Sequence, residues 1–156
     1  MRVFTFLIFL FFITSCNKIA LTSDSNIKGL DTIVDFTSVD TYPSFTNCDS
    51  IIEKINKQNC FRTSIHTKIG EELKKHTFFI KDSINETVLV DLLIDKNGVI
   101  NYQSLQASNL FKEELPKFDS LVQVSVNKLS KVYPAIKRGI PVTTRYQLPI
   151  KIQLKN

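Results

Sequence analysis

The sequence predicts an α+β domain in which a small antiparallel β-sheet, formed by a hairpin plus a long C-terminal strand, packs against two helical segments. Three observations support this class. Residues 87–105 have the pattern of two strands joined by a tight turn, and residues 142–154 alternate apolar and polar side chains without a break. Residues 50–75 and the stretch after Pro116 carry apolar side chains at helical spacing instead.

The first helical segment is expected between residues 50 and 75. Asp49 or Ser50 is a suitable N-terminal cap, because a short polar side chain accepts a hydrogen bond from a free amide of the first turn. Apolar residues then follow at spacings typical of a helix: Ile51, Ile52, Ile55, Phe61, Ile65, Ile69 and Leu73.

The strand at residues 87–94 is apolar on both faces, which is typical of a strand in the middle of a sheet or beneath a helix. The tetrapeptide at 95–98, Asp-Lys-Asn-Gly, indicates a turn, since Asn and Gly tolerate positive φ. Residues 99–105 are therefore predicted to return as the second strand of a hairpin.

The second helix is expected to begin near Leu115-Pro116, because proline is accepted in the first helical turn. Its predicted buried stripe comprises Phe118, Leu121, Val122, Ser125 and Leu129. Tyr133-Pro134 is expected to end the helix, and a turn at residues 137–139 leads into the last strand.

The N-terminal segment has the layout of a lipoprotein signal peptide. Arg2 precedes an apolar run at residues 3–13, which is too short for a membrane-spanning helix of about 20 residues. The run is followed by Ile-Thr-Ser-Cys, which resembles the bacterial lipobox. Residues 1–15 are thus expected to be removed and Cys16 to be lipidated, which would anchor the chain to a membrane surface. A plain signal peptide with a coincidental cysteine is the alternative.

The residues after the predicted anchor differ in character from the rest of the chain. Residues 16–41 are expected to form the lipidated N-terminus and a flexible tether, because they are rich in Ser, Thr, Asp and Asn and lack a sustained period. The pattern changes at Tyr42-Pro43, and the folded domain is predicted to span residues 42–156.

Composition and charge give no sign of a nucleic-acid partner. Without Arg2 the mature chain has nineteen basic and fifteen acidic side chains, a formal charge of +4 with no block of like charges. Such a surplus bears on solubility and surface attraction. No basic and aromatic recognition motif accompanies it, and nucleic-acid binding is not expected.

Two cysteines, Cys48 and Cys60, remain after lipidation, and disulfides persist in the compartments that exported proteins reach. A disulfide closing a loop of about a dozen residues would stabilise the fold by about 3 kcal/mol. The alternative is a metal site that includes His66 and His76. Thiols this far apart lack the close cysteine pairing of zinc motifs, so no metal is expected.

No catalytic motif stands out: the chain lacks GxSxG, HExxH and a phosphate-binding glycine loop, and it has only four glycines. Asp91 and Asp95 share a strand face, which would allow a general-acid pair, but a polar strand end leading into a turn is the favoured interpretation. His66 and His76 lie among Lys and Glu and are interpreted as solvated. An enzyme is therefore the last alternative, and no catalytic residue, cofactor or small-molecule substrate is expected.

Five phrases occur in a consistent order along the chain. They are Tyr-Pro-Ser-Phe-Thr-Asn-Cys at 42–48, Cys-Phe at 60–61, the hairpin at 88–98, the stretch at 134–142, and Tyr-Gln-Leu-Pro-Ile at 146–150. Together they resemble the C-terminal domain of TonB-type energy transducers, in the form common in Bacteroidetes.

The resemblance implies a module that binds outer-membrane TonB-dependent receptors, or other envelope proteins, by adding a strand to its sheet. The last strand is the expected edge, since Pro149 lacks the donor that a central strand would need. The candidate partner-binding residues on its polar face are Thr143, Arg145, Gln147 and Lys151.

The chain also departs from that family. A cleavable lipoprotein signal replaces the uncleaved inner-membrane helix, and the spacer is short, so energy transduction is not expected. We expect an outer-membrane lipoprotein facing the periplasm, with the inner membrane as the alternative. The alternative function is a structural or cell-envelope lipoprotein that keeps the fold. Pairing of residues 30–40 with the last strand would favour it, because that pairing covers the edge.

Overall fold

The computed structural model describes residues 33–155 and arranges them around a β-sheet. The strands are β1 (Ile33–Asp35), β2 (Ile84–Ile94), β3 (Ile100–Gln106), β4 (Ala135–Lys137) and β5 (Ile140–Leu154). The α-helices are α1 (Lys54–Leu73), α2 (Asn109–Glu114) and α3 (Phe118–Asn127), and two 3₁₀ turns lie at Phe36–Ser38 and Thr46–Cys48. The predicted signal peptide at 1–15 and the predicted lipidation site Cys16 lie outside the described residues.

The sheet has the strand order β1-β5-β2-β3, and β4 pairs with the start of β5. The strand β2 lies in the middle, with β3 and β5 antiparallel on either side, as its two apolar faces predict. The prediction of a purely antiparallel sheet is wrong, because β1 runs parallel to β5. The fold is therefore α+β with a mixed sheet.

One face of the sheet is covered by α1 and α3, and the core lies between them. The predicted i, i+4 stripe of α1 is confirmed at its four fully buried residues: Phe61, Ile65, Ile69 and Leu73. In α3, Phe118, Val122 and Ser125 are buried as predicted. Alternate residues of β2, from Val88 to Ile94, meet these helices, and the opposite side chains form the outer face of the sheet.

The start of α1 differs from the prediction. The helix begins at Lys54, after Glu53, so Asp49 and Ser50 do not cap it. Ile52 is 99% exposed, because residues 46–52 instead form a 3₁₀ turn and a loop in which the Ile51 amide donates to the Cys48 carbonyl. Ile51, Ile52 and Ile55 thus match the helical spacing in the sequence, but none of them belongs to the buried stripe of α1.

The second helical segment is divided into two helices, where the sequence predicted one. Ser108 caps α2 by accepting a hydrogen bond from the Phe111 amide. Leu115, which precedes Pro116, adopts a non-helical conformation with φ of −126°. Proline disfavours helical backbone in the residue before it, so α3 begins only at Phe118.

Both predicted turns are confirmed. Gly98 has a φ of +76°, and a Cβ atom there would lie 1.7 Å from the Val132 carbonyl oxygen, so glycine is required for both reasons. Arg138 and Gly139 both have positive φ and join β4 to β5, the geometry of a type I′ hairpin turn. The strand β4 itself was not predicted.

The packed structure begins earlier than the predicted boundary at Tyr42. Phe36 and Val39 lie within the predicted flexible tether, but they belong to the core, with side chains that are 8% and 1% exposed. The amides of Asp40 and Thr41 donate to the Ile136 carbonyl, which pins this segment to β4. Five of the seven residues from Asp35 to Thr41 are polar, so the sequence pattern did not indicate that two apolar side chains and backbone hydrogen bonds hold this segment in the domain.

Candidate functional site at the edge of the last strand

The two sides of β5 have different neighbours. On one side β2 pairs with it along residues 144–154. On the other side β1 pairs with residues 143–145, and the start of β5, residues 140–142, pairs with β4. Within the described part of the chain, no strand pairs with residues 146–154 on that second side. We call residues 140–145 the paired edge and residues 146–154 the open edge.

The pairing of β1 corrects the prediction that Thr143 and Arg145 lie at a free edge. Ile33 lies opposite Thr143, and Asp35 lies opposite Arg145, in a parallel register. Thr143 is only 4% exposed and is therefore not available to a partner. The Arg145 side chain remains exposed on the outer face. Alternation along a strand identifies its two faces, but it does not show which neighbour covers its edge.

A polar groove of about 600 Å³ opens on the outer face where β1 ends. Its floor is Asp91, whose carboxylate accepts hydrogen bonds from Ser104 Oγ at 2.9 Å, Gln106 Nε2 at 2.7 Å and Gln147 Nε2 at 3.1 Å. The groove is lined by Ile33, Val34, Asp35, Phe36, Asp91, Gln106, Arg145 and Gln147.

The environment of Asp91 keeps it ionised. Burial acts to raise its pKa, but the hydrogen bonds from its three partners, together with the nearby Arg145 charge, hold the pKa below its ordinary value. Asp95 has a different role, since its carboxylate accepts hydrogen bonds from the amides of Asn97 and Val99 in the hairpin turn. The two carboxylates are thus held by separate sets of partners, which does not favour their use as a general-acid pair.

A second groove, of about 460 Å³, lies on the helix side of the open edge. Half-buried Ile150, Ile152 and Leu154 form one wall, and the C-terminal end of α1 forms the other. The full lining is Gly70, Leu73, Lys74, His76, Phe78, Phe118, Ile150, Lys151, Ile152, Gln153 and Leu154. This groove is mostly apolar, and none of its lining residues is acidic.

Cationic side chains border both grooves. Lys74 and Lys151 lie at the rim of the apolar groove, and Arg145 lines the polar one. No salt bridge to a carboxylate within the described residues engages any of the three. The apolar groove beside the open edge therefore carries the positive charge of Lys74 and Lys151, whereas Arg145 lies on the paired edge near the Asp91 carboxylate.

Cys48 and Cys60 form a disulfide that joins the N-terminal segment to α1. The alternative metal site is not supported, because it needs the two thiols as ligands. No group of three His, Cys, Asp or Glu side chains within residues 33–155 is placed to hold a metal ion. Burial, with a smaller effect from Arg62, lowers the pKa of His66.

The structure brings together two of the four candidate partner-binding residues, Arg145 and Gln147, in the polar groove. Lys151 lies farther along the open edge, and Thr143 is buried where β5 pairs with β1. Sequence reasoning missed the apolar groove, whose far wall comes from distant α1 residues. It also missed the partners of Asp91, although an aspartate in an apolar strand signals that polar partners are needed.

No protein-family model, curated protein or solved structure matches this chain. Within the described residues, no helix has the length and apolar character needed to cross a membrane. The resemblance to the TonB C-terminal domain therefore still depends on the sequence phrases alone.

Proposed function

We propose that this protein is a lipid-anchored, periplasm-facing binding module, related to the C-terminal domain of TonB energy transducers and located at the outer membrane. It binds a segment of a TonB-dependent receptor, or of another envelope protein, by strand addition to the open edge of β5. The observation that carries the proposal is that one side of residues 146–154 has no paired strand among the residues that the structure describes. The proposal assigns no enzymatic activity to the chain.

An unpaired strand edge offers backbone donors and acceptors to an incoming strand. The open edge is nine residues long, about 30 Å at 3.4 Å per residue, which exceeds the five or six residues of a common strand. Pro149 removes one backbone donor and leaves the other positions of the edge intact. The edge therefore has room for a complete partner strand.

Side chains of an added strand would alternate between the two grooves. Those on the helix side would meet the apolar groove beside Ile150 and Ile152, and those on the outer side would meet Gln147 and Lys151. The uncompensated charge of Lys74 and Lys151 favours acidic residues in the partner. An extended segment that alternates apolar and acidic or polar side chains fits this surface best.

The distance over which the module acts follows from its anchor. Cys16 is seventeen residues before Ile33, and a fully extended chain of that length spans roughly 55 Å. Because β1 and the residues after it belong to the domain, this reach is shorter than a tether ending at Tyr42 would allow. The proposed partner is therefore a segment that lies close to the same membrane.

Site-specific photocrosslinking in intact cells tests the proposal. A photoreactive residue at Lys151 of the full-length protein is expected to capture a TonB-dependent receptor or another identified envelope protein. The matched control places the same residue at Gln123, which is exposed on α3. Equal capture from both positions, or no capture from Lys151, would reject strand addition at the open edge.

A second candidate function is a structural or cell-envelope lipoprotein that keeps the fold without transport coupling. The pairing of Ile33–Asp35 with β5 favours it, because the chain's own segment covers part of the edge. Under this alternative, a photoreactive Lys151 yields crosslinks only within the chain or to cell-wall material.

A further inference from the structure

We propose that β1 is a displaceable internal strand, which occupies the paired edge of β5 until a partner segment running in the same direction replaces it. This inference rests on the proposed function, because it concerns regulation of the same strand edge. Displacement would lengthen the available edge from residues 146–154 to residues 143–154.

The contacts of β1 with the sheet are few. Within the described residues, which begin at Ile33, the strand has three members: Ile33 is 48% exposed, Asp35 is exposed, and only Val34 packs partly against the core. Burial of apolar surface is the main favourable contribution to strand docking, so little free energy holds β1 in place. A strand this short is also near the lower limit for stable pairing.

The seam between β1 and β5 also contains polar groups that β1 does not satisfy. The hydroxyl oxygens of Thr143 and Thr144 are buried and have no hydrogen-bond partner within the described residues. Both threonines lie directly opposite β1, at Ile33 and Val34. A buried hydroxyl without a partner costs about 1–3 kcal/mol, and an isoleucine at position 33 offers the Thr143 hydroxyl no side-chain partner that would remove this cost.

The chain is held firmly immediately after β1. The Phe36 ring packs against Tyr42, Phe61 and Tyr146 at centroid distances of 4.9, 6.0 and 4.8 Å. The Arg138 amide donates to Asp40 Oδ2 at 2.5 Å, farther along the same segment. The boundary between weak and firm attachment thus lies at residues 35–36, so β1 can leave the edge while the core contacts remain.

The register of β1 predicts the strand direction and the side chains of the partner segment that would replace it. The partner runs parallel to β5 and places an apolar residue at the position of Val34, next to the core. A hydroxyl or amide side chain at the position of Ile33 would satisfy Thr143, which isoleucine cannot do. Asp35, whose carboxylate accepts a hydrogen bond from the Thr37 amide at 2.8 Å, lies opposite Arg145, and the Arg145 charge also acts on Asp91. An acidic residue of the partner at the position of Asp35 would be attracted by Arg145.

The test uses a fluorescent peptide with the sequence of residues 29–35, Gly-Leu-Asp-Thr-Ile-Val-Asp, added to the purified full-length protein. In the double variant Ile33→Gly and Val34→Gly, the internal strand is weakened and Phe36 is untouched. We expect this variant to bind the peptide at least 10-fold more tightly than the wild type by fluorescence anisotropy. The control variant, Ile52→Gly at a fully exposed loop position, is expected to bind like the wild type.

Equal affinity in the wild type and the double variant would overturn the inference, as would absence of binding to both. A second measurement does not depend on a variant: excess unlabelled peptide should accelerate amide hydrogen exchange at Ile33–Asp35 of the wild type, and unchanged exchange would also reject displacement. Crosslinking from Lys151 reports on the open edge alone. The peptide experiments can therefore reject displacement of β1 while crosslinking supports strand addition at the open edge. The opposite combination of results can be recognised in the same way.

Discussion

The paired and open edges belong to one strand with one uninterrupted alternation of side chains, and yet they have opposite surroundings. Residues 140–145 pair with β4 or β1, and Thr144 and Arg145 also pair with β2, whereas β2 is the only strand within the described residues that pairs with residues 146–154. This difference in pairing arises outside β5. The segment after β1 forms a 3₁₀ turn at Phe36–Ser38 with Phe36 buried, so its pairing with β5 ends at Asp35. The availability of a strand edge is therefore decided by where a distant segment enters the core.

The largest expected effect on stability comes from removing the Phe36 side chain, which holds the segment after β1 in the core. Phe36→Ala should lower the free energy of unfolding by about 3–5 kcal/mol, because it deletes a buried ring with three aromatic neighbours. Denaturant unfolding measures the loss. Phe79→Ala is the matched control, since Phe79 is 87% exposed and its loss should change stability by less than about 0.5 kcal/mol. A loss below about 1 kcal/mol for Phe36→Ala would mean that this segment does not anchor the paired edge.

The disulfide is expected to have the next largest effect. It links the segment that follows β1 to the N-terminal half of α1, away from Gly70 and Leu73 in the apolar groove, so we expect it to restrain the paired edge more than the open edge. Replacing Cys48 and Cys60 together by Ala should reduce the free energy of unfolding by about 3 kcal/mol in the chain-entropy model. Amide exchange at Ile33–Asp35 should accelerate, with little change at residues 150–154. Intact mass spectrometry under non-reducing conditions checks the bond first, and a mass showing free thiols would exclude it.

Hydrogen exchange compares the two edges directly in the unmodified protein. Amides of β5 point alternately toward β2 and toward the opposite side. On that opposite side, no strand within residues 33–155 pairs with the open edge, and we expect its amides to exchange about 100-fold faster than amides bonded to β2. NMR detection resolves individual residues. Uniform protection along residues 146–154 would indicate that another segment covers the open edge.

The elements that the sequence predicted best are those in which local pattern and turn chemistry agree. The hairpin between β2 and β3 is an example, because Gly98 requires positive φ and both flanking strands have consistent patterns. The long strand β5 and the buried stripe of α1 were likewise evident from spacing alone. In each case the residues that determine the element are its own.

The features that sequence reasoning missed depend on residues far apart in the chain. The pairing of Ile33 with Thr143 joins positions 110 residues apart, and no period within residues 30–40 signals it. The division into α2 and α3 reflects backbone restriction before Pro116. Of the candidate site, the side-chain face of Arg145 and Gln147 was predictable, but the apolar groove and the covered position of Thr143 required the tertiary structure.

The smallest expected effect concerns Asp91, at the floor of the polar groove between the two edges. Because its pKa is lower in the folded protein than in the unfolded chain, its contribution to stability is fully present above the unfolded value near 4. The contribution is lost as pH falls through the lower folded value. Asp91→Asn should therefore lose less stability than the wild type between pH 5 and pH 2, by less than about 1 kcal/mol since the site is open to solvent.

Denaturant unfolding at several pH values measures this difference, and Glu71→Gln, an exposed change on α1, serves as the control. If Asp91→Asn and Glu71→Gln have the same pH dependence, the three hydrogen bonds to Asp91 do not stabilise its ionised form. A selective change at Asp91 would instead indicate that its carboxylate organises Gln106 and Gln147 in the polar groove. Those side chains would then already hold their positions before any partner strand reaches the open edge.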